Sequence, residues 1–371
     1  MVVVGGGPAG AAAAIALARL ELRPLVLEAA SEPRWKAGES IPPSAHPVLE
    51  RLGLMRGVAR AGLPSYGNRS VWGTPEAVEH DFLFGTAGPG WRVDRVRFEE
   101  ELAAEAIAAG VEWRSGARVV GCARRASRGW SLRVVEDSVS RAYAADVVVD
   151  ASGRAARVAR LLGVRRVRYD RLVGVLAYGS TGAGSDGDDC DPDGRESTPL
   201  VEAVSDGWWY SLFLPGRRLV AAFMTDADLL DSTGARRADG LRALLDQAPA
   251  TASRVLAADA TLDWSQVRIR PAHTGRLETV AGPDWLAVGD AAVAFDPLAS
   301  YGIAAALGEG FYAAAAVADH LGGRRDSLLD HARLIDRTLA QYLVLCHDRY
   351  GLEQRWPDAE FWRRRHHPGR V

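Results

Sequence analysis

The 371 residues are 48% hydrophobic and 25% charged with a formal net charge of −2, an ordinary globular make-up with no field to recruit nucleic acid or an anionic membrane. Three widely spaced cysteines (Cys122, Cys190, Cys346) without a C-x-x-C argue against a disulfide framework or zinc site and for a reducing compartment. No apolar stretch approaches the ~20 residues of a membrane span, and the first strand begins at the amino terminus, so a cytoplasmic chain of one large or two intertwined lobes is expected.

In chain order, Val2–Val4 reads as a strand, Gly5-Gly6-Gly7-Pro8-Ala9-Gly10 as a tight turn, the alanine-rich run to Leu20 as a helix, and Val26-Leu27-Glu28 as a second strand ending in an acid. Gly5, Gly7 and Gly10 fit G-x-G-x-x-G in the strand–turn–helix context that gives the pattern meaning. The helix start offers unpaired N–H groups to a pyrophosphate, and Glu28 is placed to accept hydrogen bonds from a ribose. A loop follows through Gly38-Glu39-Ser40-Ile41-Pro42-Pro43, then a helix over 45–52 and a strand-plus-loop segment over 64–80. Phe98, Leu102, Ala103, Ala106 and Ile107 predict a helix over 91–110. Short strands lead to the apolar run Val147-Val148-Val149, typical of a buried parallel strand, with Asp150 at its end.

The texture changes at about Tyr169. Runs over 172–178, 208–214 and 219–224 predict an antiparallel sheet inserted into the first lobe. A polar loop carrying Asp186, Asp188, Asp189, Asp191 and Asp193 invites a calcium reading, but Pro192 interrupts the pattern and Leu200 stands where the closing glutamate belongs, so a solvated loop is the better account. The α/β texture returns with a strand over 285–288 and Gly289-Asp290. A long alanine-rich helix then starts near Pro297, with Asp296 or Ser300 as cap, and a second helix spans 327–350.

Together, the glycine turn with Glu28, the strand end Asp150-Ala151-Ser152-Gly153-Arg154, and Gly289-Asp290 before a helix resemble the three FAD contacts of single-component flavin monooxygenases and flavin-dependent halogenases. The resemblance implies an α/β fold: a Rossmann-type FAD-binding domain, an inserted antiparallel β-sheet substrate domain, and a helical C-terminus. The expected boundaries are 1–63, 95–168 and 271–325 for the FAD-binding domain, 64–94 and 169–270 for the substrate domain, and 326–371 for the C-terminal segment. It implies cofactor contacts at Gly5, Gly7, Pro8, Ala9, Gly10, Glu28, Ser40, Arg97, Asp150, Gly289, Asp290, Pro297, Gly302 and Ile303, and no metal. The helix start would meet the flavin edge where reduced flavin carries negative charge.

Within that superfamily the chain departs from the tryptophan halogenases. They carry a lysine shortly after the Gly-Glu loop, where this chain has Gly67-Asn68-Arg69-Ser70; Lys36 is its only lysine, and Ala299 replaces a glutamate. It is more similar to the flavoproteins that mature quinone-cofactor oxidases, and to peptide-tryptophan hydroxylases, through Gly38-Glu39-Ser40, Asp206-Gly207-Trp208-Trp209-Tyr210-Ser211 and the Arg355-Trp356-Pro357 tail. That resemblance implies a monooxygenase hydroxylating an indole, on a peptide or protein, through C4a-hydroperoxyflavin, with NAD(P)H as transient reductant or acting through a flavin reductase. Glu202, Trp208, Trp209, Tyr210, Asp296 and Ser300 are the expected substrate-side residues, with Trp208 and Tyr210 alternatively packing into the sheet. His273 is a candidate acid/base, and Trp356 and Trp362 read as packing of the tail. A hydroxylase of a free aromatic metabolite, a halogenase, and a non-catalytic flavin-binding maturation partner are the alternatives.

Overall fold

The computed structural model describes residues 1–82, 85, 87–181, 198–257 and 260–367; the aspartate-rich loop lies outside the described residues. Five sheets organise it. The central one has six strands in the order Ala281–Gly282, Trp285–Ala287, Val148–Asp150, Val2–Val4, Leu25–Leu27 and Glu112–Arg114. Every pairing in it is parallel except that of Ala281–Gly282 with its neighbour. Parallel strands are covered on both faces, which is why Val2, Val3 and Val4 are all buried and the run does not alternate. One face is packed by the helices Pro8–Arg19 and Gly302–Leu321, whose alanines let the two backbones approach closely. The other is covered by a three-stranded meander over 118–145 and by the helix Ser327–Gly351.

The large second sheet has eight strands, with Leu172–Ser180, Arg218–Asp226 and Gly207–Leu214 at its middle. It is antiparallel as expected, save for one pairing: Gly67–Val71 runs parallel to Leu200–Val204. The sequence reading of a pure sheet over 169–270 is corrected by two helices, Ala238–Asp246 and Pro249–Ala257, which cover one face of it. Their apolar residues are few enough that no single window stands out until Leu241, Leu244 and Leu245 are seen to share one buried side. The opposite face turns toward the parallel-sheet lobe and the carboxyl-terminal helices.

Other boundaries shift for local reasons. Trp91 belongs to a strand, Gly90–Val93, and the following helix starts at Arg95, where Asp94 caps the Val96 and Arg97 amides. The tail ends in a short helix, Glu360–His366, that inserts Phe361 and Trp362 into the core between the sheet and Tyr350. Trp362 is 0% exposed and donates its indole N–H to the Val204 carbonyl at 2.9 Å, so its loss to alanine costs roughly 3–5 kcal/mol. Among the described residues no helix is long and apolar enough to cross a membrane.

Candidate active site

The carboxyl ends of the parallel strands converge on one edge, the place where open α/β sheets bind ligands. Gly5 sits there at φ +104°, and a Cβ on it would strike the Ala151 carbonyl oxygen; a Cβ on Gly10 would run into the Gly5 carbonyl. Gly7 differs: nothing lies within 4 Å of where its Cβ would be. The turn is therefore closed on the protein side and open on the other, a cradle shaped for a phosphate group. Pro8 occupies the first helical turn, Ala9 is buried behind it, and no side chain caps this helix. Its leading N–H groups are thus left for an anion. Glu28 lies across the turn, with Oε2 accepting the Gly6 amide at 2.6 Å and Oε1 the Ala30 amide at 2.8 Å.

Packed directly against Ala9 at the start of the first helix, Gly289 donates its amide to Glu309 at 2.7 Å, and Asp290 keeps its carboxylate near Arg154 at 3.4 Å. Asp150 has a different fate from the one expected. It is 0% exposed, with Oδ1 accepting the Ser152 amide and hydroxyl and Oδ2 accepting the Ala159 amide. Its carboxylate is consumed in tying down the strand end and the short helix beyond, so it presents nothing to a cofactor. Arg97 is exposed and forms no ion pair among the described residues, while its neighbour Arg95 is the buried arginine. Arg95 donates to the Ala37 and Gly38 carbonyls (both 2.9 Å) and to Glu99 (2.7 Å). This fastens the loop that leads into Ser40, which pairs with Arg92 in a two-residue strand.

The start of the alanine-rich helix also differs in detail. Asp296 caps a 3-10 turn, Pro297–Ala299, through Leu298 N at 2.8 Å. Ser300 then breaks the helical path at φ +49°, and the helix begins afresh at Gly302 with no side-chain cap. Ser300 is thus a hinge between two turns and caps neither. The open amides around Gly302 and Ile303 leave a second anion-favouring terminus facing the cleft. Asp296 is fully buried and accepts the Tyr350 hydroxyl at 2.7 Å; burial, reinforced by Asp170, pushes its carboxyl up to about 6.

On the large sheet, alternation separates the expected substrate-side residues. Glu202 pairs with Trp209 in register, and both face the helices on the far side. Glu202 is 2% exposed and caps Pro249–Ala257 through the Ala250 amide (3.0 Å) and the Thr251 amide and hydroxyl (both 2.7 Å). Trp209 packs on Phe223 and bonds the Leu244 carbonyl. Neither lines a substrate site. Trp208 points the other way, but is fully buried and donates to the Tyr350 hydroxyl at 3.1 Å, so it packs the floor and offers no face for stacking. Only Tyr210 of the four keeps exposure on the face toward the cleft, although it sits on a central strand. A chamber therefore reaches it.

Three residues around that chamber escaped the sequence reading as site residues. Glu39, Tyr178 and Trp35 form a chain in which Tyr178 donates to Glu39 and meets Trp35 edge-on at 4.6 Å. Gly38-Glu39-Ser40 was visible as a motif, but the partnership with Tyr178 is long-range and has no local signal. Arg268 lies over Trp35 at 4.4 Å and Arg270 at 5.8 Å. His273 is a poor acid at neutral pH: burial and the neighbouring Arg154, Arg168 and Arg166 push it down to about 4.

Known proteins share this fold. The chain is 30% identical to the FAD-dependent oxidoreductase LodB of Marinomonas mediterranea over 98% of its own length and 96% of LodB. It is 27% identical to tryptophan 2-halogenase of Chondromyces crocatus, over 88% of this chain and 62% of that one. Among solved structures, the myxobacterial chondrochloren halogenase CndH matches at TM-score 0.87 and 26% identity, covering 98% of this chain and 85% of its own. The peptidyl tryptophan dihydroxylase QhpG matches at TM-score 0.74 and 28% identity, covering 98% and 77%. The family model described as FAD binding domain matches residues 1–345, and the chain belongs to that family as an FAD-dependent oxidoreductase.

Proposed function

We propose that this chain is a monooxygenase that hydroxylates the indole ring of a tryptophan carried on a peptide or protein. Bound FAD, reduced by NAD(P)H directly or through a flavin reductase, would supply an oxygen atom from O2 as an electrophile. The chain's own residues do the rest. Gly5–Gly10, Glu28, Asp290 and the uncapped Gly302 terminus hold the cofactor and favour negative charge along its edge. Trp35, Tyr178 and Tyr210 present aromatic faces and edges to a flat ring and keep bulk water from it.

The observation that carries this reading over halogenation is the placement of the chain's only lysine. Lys36 is 46% exposed and its ammonium lies 2.6 Å from Glu99 on a neighbouring helix. That ammonium is committed to Glu99, and the sequence holds no second lysine to take the part of the one with which the resembling halogenases hold hypohalous acid. The match to QhpG, a peptidyl tryptophan dihydroxylase, supports a peptide- or protein-borne substrate over a free metabolite. The test supplies FAD-loaded protein with NADH, a flavin reductase, oxygen and a tryptophan-containing peptide, with and without bromide. A mass gain of one or two oxygen atoms, indifferent to bromide, supports hydroxylation. A brominated product overturns it.

A further inference from the structure

We propose that Glu39 is the base that removes the ring proton during substitution, an inference that rests on the aromatic-substitution reading above. Attack of an electrophilic oxygen on an indole carbon leaves a ring cation whose substituted carbon still carries hydrogen. To finish, the C–H bond breaks, its electron pair returns to the ring, and the proton passes to a carboxylate. The oxygen electrophile comes from O2 and reduced FAD, and the two electrons that reduce FAD come from NAD(P)H. The same proton must leave if the electrophile is a halogen, so the assignment does not depend on which is delivered.

The carboxylates near the chamber are few, and most are already committed. Glu202 caps a helix on the far face, Asp150 is consumed beneath the parallel sheet, and Asp296 is spent on Leu298 N and the Tyr350 hydroxyl. Glu39 remains. It is 4% exposed, it accepts the Tyr178 hydroxyl on Oε1, and Oε2 accepts the Gly38 amide at 2.8 Å. Tyr178 stands on the same face of the large sheet as Tyr210, and burial together with the Glu39 charge pushes both phenols up. The loop is held from behind by Arg95 on the Ala37 and Gly38 carbonyls, so the carboxylate is positioned before any substrate arrives. Burial also pushes its carboxyl up, toward the range where a carboxylate is an effective base.

A purely structural Glu39 would fasten the loop to Tyr178 and do nothing more. Two measurements separate these roles. In the first, FAD-loaded protein is titrated at pH 8 with 1-methylquinolinium, a flat aromatic cation standing in for the charged ring, and with neutral quinoline, read by tryptophan fluorescence. Wild type should prefer the cation by about tenfold, or about 1.4 kcal/mol, and E39Q should bind both equally. No preference in wild type, or one retained by E39Q, overturns the assignment. If E39Q does not hold FAD, E39D must keep the preference because it keeps the charge; losing it also overturns the assignment. In the second, turnover of a peptide with ring-deuterated tryptophan should be slowed in E39Q and gain a primary isotope effect absent from wild type. An E39Q rate equal to wild type is a refutation. The binding arm needs no turnover, so its failure is distinguishable from failure of the hydroxylase reading.

Discussion

Replacing Glu202 by alanine separates a catalytic from an architectural role for this acid. The structure gives Glu202 three acceptor bonds, two of them to amides at the start of Pro249–Ala257, in surroundings that leave it 2% exposed. Removing the carboxylate orphans those donors and withdraws a negative charge from a helix N-terminus, at about 1–3 kcal/mol per abandoned buried group. The total is about 4 kcal/mol for E202A, counting the two amides at full weight and the hydroxyl, which can rotate away, lightly. With about 2 cal/mol/K per residue of unfolding entropy, that lowers the melting temperature by about 5 °C. Differential scanning fluorimetry on the FAD-loaded protein checks it, with FAD affinity expected to change less than twofold because Glu202 faces away from the cleft. A melting point within a degree of wild type would refute the capping role, and with it the claim that alternation sends Glu202 to the far face.

Gly7→Val and Gly10→Ala should part company: the first leaves the apo fold intact but weakens FAD binding by more than tenfold, since its side chain enters open space in the cradle, whereas the second destabilises the fold by about 1–3 kcal/mol through its clash with the Gly5 carbonyl. Equilibrium dialysis and thermal melts distinguish them. Burial, opposed only by the Gly289 amide, raises Glu309 to about 8 from an ordinary value of 4.5. The native state therefore keeps a proton that the unfolded chain loses, and stability falls as pH rises from 4.5 through 8. E309Q can still accept the Gly289 amide without titrating, so its melting temperature relative to wild type should climb between pH 5 and pH 8.5; a flat difference contradicts the assignment. Tyr350→Phe strips a partner from both Trp208 and Asp296, costing about 2–3 kcal/mol in chemical denaturation. It should also raise the Asp296 carboxyl further above about 6, because a hydrogen bond that favours the charged form is gone; the pH at which stability stops falling should move up with it.

The opening of the chain could be read directly from its residues. A valine run, a glycine turn and an alanine helix are local statements, and the covalent geometry of Gly5 and Gly10 leaves the backbone few alternatives. The helix Ser327–Gly351 and the buried strand at Val148–Asp150 were legible for the same reason, through periodicity and β-branched runs. The roles of acids and aromatics were not. Whether Glu202 or Glu39 reaches the chamber depends on which face of a twisted sheet each meets and on what closes that face, and both answers come from chain segments far away: Thr251 for one, Tyr178 for the other. Likewise Asp150, at the end of a strand that the sequence marks as special, is claimed by Ser152 and Ala159. Local propensity and spacing settled where the backbone makes its open glycine turn. Which carboxylate meets the open face of the large sheet was decided only when distant donors had folded back onto each of them, because a buried charge takes whatever hydrogen bonds the tertiary structure brings to it.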